Sequence, residues 1–197
     1  MKSKFKRILY GGDYNPNQWP EEIWAEDMRI FRDAHINSAT INVFSWAKIQ
    51  PSENVYDFSC LDKMIDMLSR ENYDIVLATS TAALPAWMVK KYPEVMSTDY
   101  EGRQHHFGQR HNACPNSLVY QKYAKALTAK LVERYGDNPH ITYWHINNEY
   151  GAECYCDNCK KAFHVWLKDK YKTIHAVNTA WNMEFWGHTI YDLSIIH

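Results

Sequence analysis

The chain has 197 residues and a net charge of -1, with a pI near 6.8. That length suits one domain or at most two small ones, and the even charge balance gives no electrostatic basis for nucleic-acid or anionic-membrane binding. Hydrophobic residues at 46% and charged residues at 23% are ordinary for a globular protein, whereas aromatics reach 15%, with 8 Trp and 14 Tyr. So many rings suit either a large aromatic core or a cleft whose ring faces stack on sugars. No stretch approaches the ~18 apolar residues of a membrane span, and the basic N-terminus lacks the apolar segment of a secretory signal. A cytoplasmic location is expected, where clustered cysteines point to metal rather than to disulfides.

In chain order, RILYGG (7–12) reads as a short strand. PEEIWAEDMRIFRDAHI follows as a helix, with Pro20 and two glutamates suited to its first turn and Ile23, Met28, Ile30 and Phe31 as its apolar positions. Ser38 to Trp46 is the second strand. SCLDKMIDMLSREN is the second helix, with Leu61, Met64, Ile65 and Leu68 in helical register. Tyr73 to Thr81 is a third strand, apolar on both faces. A long helix follows, capped by Ser117 and ending near Gly136. HITYWHINNE (140–149) is the fourth strand, and helices over 156–171 and 174–182 close the chain.

Strands alternating with helices predict βαβ units, a parallel sheet and an α/β fold. Neither a dinucleotide fingerprint nor a P-loop is present. Long polar loops after the strands suit a (β/α)8 TIM barrel with its site at the C-terminal rim. A complete barrel takes ~250 residues, so about the first four βα units are expected here. Residues 1–197 would form the N-terminal portion of one such barrel domain.

Glu149 ends the fourth strand at that rim. Partly desolvated beside aromatic walls, a glutamate has its pKa pushed up and can act as a general acid. The alternative is a rim glutamate held in a salt bridge. The preceding Asn147-Asn148 favours the first reading, because an amide beside the acid can bind a sugar hydroxyl. With GGDYNPNQWP in the first unit, FGQRHNACPNS in the third and NNEYG in the fourth, the sequence resembles glycoside hydrolase family 42, the β-galactosidases. The resemblance runs through essentially the whole chain. It implies retaining hydrolysis of terminal β-D-galactosides, with Glu149 as acid/base and Asn148 as its substrate-binding neighbour. It makes Arg110 a galactosyl-binding arginine, the alternative being a structural ion pair. It makes Trp186 a subsite tryptophan, the alternative being a core role. Asp13, Tyr14 and Asn15 read as an Asx-turn with structural hydrogen bonds, the alternative being direct substrate contact. The family's nucleophile is a second glutamate from a late strand, which lies beyond this chain. The other reading is therefore an inactive, truncated half-barrel that binds carbohydrate or is a pseudogene product. A zinc-dependent interaction module is a further alternative.

Cys154, Cys156 and Cys159 form C-x-C-x-x-C, and Cys114, in the loop after the third strand, can supply a fourth thiolate to a closed structural zinc site. The resemblance implies the same site. The alternative is a set of reduced, packed thiols. Cys60 is expected buried on the second helix, and His105, His106 and His111 are weaker candidate ligands. The expected partner is a β-galactoside, with neither nucleic acid nor membrane, and the resemblance implies a homotrimer for complete chains. A half-barrel would carry open edge strands and is expected to self-associate.

Overall fold

The computed structural model describes residues 7–151 and 153–196. Four parallel strands, β1 (Gly11–Asp13), β2 (Ser38–Ile41), β3 (Asp74–Ala78) and β4 (Ile141–His145), form one sheet in the order β1-β2-β3-β4. Strand order equal to chain order, without the reversal that defines a doubly wound sheet, is the order of a (β/α)8 barrel. These are its first four βα units. Helices α1 (Trp24–Asp33), α2 (Trp46–Ile49), α3 (Ser59–Arg70), α4 (Ala86–Lys91), α5 (Leu118–Tyr135), α6 (Asp157–Tyr171) and α7 (Ile174–Trp181) complete the fold. Among the described helices, none is long and apolar enough to cross a membrane.

The core lies between the sheet and α1, α3 and α5. Helix α3 buries Leu61, Met64, Ile65 and Leu68 as its periodicity predicts. Helix α5 buries Tyr123, Leu127, Leu131 and Tyr135 in one stripe, and the Ser117 hydroxyl accepts from the Tyr120 N–H at 3.3 Å as its cap. Ile75 and Leu77 on β3 are fully buried, as a central parallel strand requires. Each such side chain contributes about 1.5–3 kcal/mol of burial. On α1 the expected register is corrected. Trp24, Met28 and Phe31 face the core at i, i+4 and i+7, while Ile23 and Ile30 are exposed because they lie off that stripe. Cys60 is half-buried against the core rather than fully buried.

The strands are shorter than expected. Ahead of β1, the backbone of Ile8 and Tyr10 bonds to the Asn37 side chain at 2.9 and 2.8 Å, so residues 7–10 are bound without a ladder. At the other end, β2, β3 and β4 are each followed by a residue in left-handed conformation: Asn42 (φ 70°), Ser80 (φ 62°) and Asn147 (φ 60°). A residue in that region breaks the extended ladder. After β2 the apolar pattern runs on past the break, through Val43, Phe44 and Trp46, and lengthens the expectation. Helix α4 was not expected; its six residues are too few to show a period, and Pro85 marks its start.

Gly11 has to lack a side chain. A Cβ there would stand 1.7 Å from the Ser38 carbonyl oxygen across the β1–β2 ladder. A second, smaller cluster of Leu167, Val177 and Ile190 joins α6, α7 and the segment after them.

Candidate active site and thiol cluster

The loops after β2, β3 and β4 are tied together at the C-terminal edge of the sheet. Ser80 donates its hydroxyl to the Asn42 carbonyl, and Asn42 donates its amide to the Ala78 carbonyl at 2.9 Å. The Asn147 N–H donates to the Thr79 hydroxyl at 2.9 Å. These bonds set the left-handed turns that carry the site residues.

Arg110 sits between two left-handed residues, Gln109 and His111, and the His111 N–H is bound to the Ala82 carbonyl at 2.9 Å. Its guanidinium bonds the Glu149 carboxylate at 2.8 Å. Its carbon lies 5.6 Å from the centre of the Phe44 ring. The ion-pair alternatives for Arg110 and Glu149 are thus realised, by the two residues with each other. Glu149 itself takes φ 41°, a conformation of the kind that clusters at functional sites. The desolvation expected of Glu149 is corrected: 67% of its side chain is exposed, because the strand end turns at Asn147 and carries it out over the rim. Asn148 is buried, and its amide nitrogen meets no acceptor among the described residues.

Trp186 lies in the turn after α7 and is 79% exposed, with its ring edge-on to Phe185 at 5.2 Å. It belongs to neither buried cluster among the described residues. Tyr14 is structural: it is buried, its hydroxyl donates to Asp27 at 2.9 Å, and burial pushes its pKa far up. Asn15 makes no side-chain cap to the turn that follows. A cavity of about 620 Å³ opens behind the rim loops, between Tyr120 and Thr128 of α5 and Ile146 and Tyr150 after β4; neither Arg110 nor Glu149 lines it.

The sulfur atoms of Cys114, Cys154, Cys156 and Cys159 all lie within 4.8 Å of one another. Cys114 approaches Cys156 at 3.3 Å and Cys159 at 3.5 Å, and all four are free thiols. Neighbouring strands bring the loops together, and the Tyr155 N–H bonds the Thr98 carbonyl at 2.8 Å to hold them there. Burial pushes the Cys114 thiol far up and Cys154 to about 11. For Cys156 burial acts upward too, but the Cys159 N–H and the neighbouring thiols outweigh it and the pKa is lowered. Among the described residues the cluster contains no histidine; His105 is instead paired with Asn112 at 3.3 Å.

Two residues escaped the sequence reading. Asn116 donates its amide to the Cys159 sulfur at 3.3 Å, and Phe44 faces Arg110. Asn116 sits two positions after a candidate ligand, which is a usable signal. Phe44 carries none, since an aromatic within an expected strand reads as core.

The model of the family described as Beta-galactosidase, glycoside hydrolase 42, matches residues 13–197. Beta-galactosidase LacA of Lactobacillus acidophilus is 60% identical over 190 residues, which are 96% of this chain and 28% of that protein. The crystal structure of a beta-galactosidase from Bacillus circulans sp. alkalophilus superposes with a TM-score of 0.89 at 60% identity, over 98% of this chain and 29% of that one. That from Rahnella sp. R3 gives 0.91 at 38% identity, over 99% and 29%. The chain belongs to glycoside hydrolase family 42, the β-galactosidases, and spans 28% of the length of the curated relative LacA.

Proposed function

We propose that residues 1–197 are the N-terminal portion of the catalytic domain of a retaining β-galactosidase. Glu149 is the general acid/base, Arg110, Asn148 and Trp186 bind the sugar, and the nucleophilic glutamate is supplied from beyond this chain. The observation that carries this reading is the meeting of Arg110 and Glu149 at 2.8 Å on the C-terminal rim, where barrel enzymes place their chemistry. The unmet amide donor of Asn148, the neighbour of Glu149, supports it, because a buried donor without an acceptor costs about 1–3 kcal/mol and a sugar hydroxyl would relieve it.

In the first step Glu149 gives its proton to the glycosidic oxygen as the bond to the anomeric carbon breaks. A carboxylate ~5 Å away attacks that carbon from the opposite face. In the second, the Glu149 carboxylate takes a proton from water, whose oxygen displaces the enzyme carboxylate and restores the original configuration. Arg110 must exchange Glu149 for the sugar in this cycle, and an exposed pair worth only ~0–1 kcal/mol permits that.

Cys114, Cys154, Cys156 and Cys159 are proposed to hold a structural zinc ion. Zinc–thiolate bonds of ~2.3 Å in a tetrahedron place sulfurs about 3.8 Å apart, and the observed spacings of 3.3 Å, 3.5 Å and up to 4.8 Å straddle that value. Four sulfurs leave no open position for a catalytic water, so the ion would brace the Arg110 and Glu149 loops. The complete polypeptide is proposed to be a cytoplasmic homotrimer acting on β-galactosides.

The test is hydrolysis of an aryl β-D-galactoside by the full natural gene product. Glu149→Gln should lower kcat at least ~100-fold. Unchanged hydrolysis in Glu149→Gln would refute the role given to Glu149, and no hydrolysis by the wild type would favour a half-barrel that only binds carbohydrate.

A further inference from the structure

We propose that Phe44 is a positioning residue for sugar recognition, its ring carrying the Arg110 guanidinium and aiming it at the space in front of Glu149. The inference rests on the catalytic reading above and adds a residue to it.

Phe44 is displayed by a loop otherwise bolted down. Val43, Ser45 and Trp46 around it are buried, and Asn42 before it is buried in left-handed conformation. Asn42 is held from both sides by Ser80 and Ala78, and the Ser45 N–H bonds the Ser80 hydroxyl at 3.3 Å. Within this anchored segment Phe44 remains 39% exposed. Burial does not explain its place. Its ring stands instead 5.6 Å from the Arg110 guanidinium carbon, the same guanidinium that bonds Glu149 at 2.8 Å. A flexible arginine on a rim loop samples many rotamers, each a loss to binding, and a ring beneath the guanidinium restricts them while leaving the N–H groups free. Phe44 would thus couple the β2 loop to an arginine delivered after β3 and an acid delivered after β4.

An arginine that binds the sugar equally in ground and transition state changes KM rather than kcat. In the full natural gene product, Phe44→Leu should raise KM for an aryl β-D-galactoside about threefold to tenfold, with kcat within about twofold. Phe44→Tyr, which keeps the ring, should restore KM. In an Arg110→Ala background Phe44→Leu should have no further effect, because the residue it acts through is gone. Melting temperatures of all variants show that folding is not the cause. An unchanged KM in Phe44→Leu, or an equal rise with and without Arg110, would overturn the proposal. If Glu149→Gln leaves hydrolysis undiminished, the catalytic reading fails and this inference falls with it; if Glu149→Gln is inactive and Phe44→Leu is silent, only this inference fails.

Discussion

The sulfur atoms of Cys114 and Cys156 lie 3.3 Å apart across 42 positions of sequence. Cys114 closes the loop that carries Arg110, and Cys156 stands at the N-cap position of α6, at the end of the loop that carries Glu149. An ion at the thiols would therefore fix both halves of the Arg110–Glu149 pair. The full natural gene product should hold one zinc per chain by elemental analysis. Cys159→Ser should lower stability by about 4 kcal/mol or more, the size expected when a structural metal is lost. Because each thiol must lose its proton to bind, zinc affinity should fall as pH falls. A metal-free protein with unaltered melting temperature would remove the ion from the account.

Glu53 makes a second, purely structural prediction. Its carboxylate accepts hydrogen bonds from Lys91, from the Tyr123 hydroxyl and from the Tyr92 hydroxyl at 2.7 Å, joining the segment before α3 to α4 and α5. The Lys91 ammonium, then the two tyrosines, hold its pKa down to about 2 against an ordinary 4.5. A carboxylate lowered in the folded state stabilises it fully above 4.5, and that stability is lost as pH falls from there toward 2. Denaturant midpoints across this window should decline less steeply in Glu53→Gln than in the wild type. Parallel curves would show that Glu53 does not contribute.

Gly11 and Gly12 are adjacent but should respond differently. A methyl group at Gly11 would collide with the Ser38 carbonyl at 1.7 Å, whereas at Gly12 nothing lies within 4 Å. Gly11→Ala should cost about 1–3 kcal/mol by pushing β1 from β2. Gly12→Ala should stay within ~0.5 kcal/mol. Equal effects, read from urea unfolding, would mean the two strands are not paired as described.

The sequence carried the layout of the fold and the elements of the site, but not their geometry. The period of α3, the Ser117 cap and the doubly apolar β3 were legible because each is a local pattern. Strand ends were not, since Asn42, Ser80 and Asn147 take left-handed backbone for the sake of bonds to neighbouring loops. The cysteine spacing announced its cluster, as three thiols in so short a stretch leave few other uses. The exposure of Glu149 and the ring of Phe44 beneath Arg110 depend on three loops meeting, which no single stretch encodes.

The central claim is that Glu149 is the acid/base of a retaining galactosidase. The most direct measurement is azide rescue of Glu149→Ala in the full natural gene product, with an aryl galactoside whose leaving group needs no proton. Losing the acid should leave formation of the glycosyl-enzyme intact and stall its hydrolysis for want of a base. Azide, which needs no base, should then restore turnover and yield β-galactosyl azide. No rescue, or an azide of α configuration, would contradict the account.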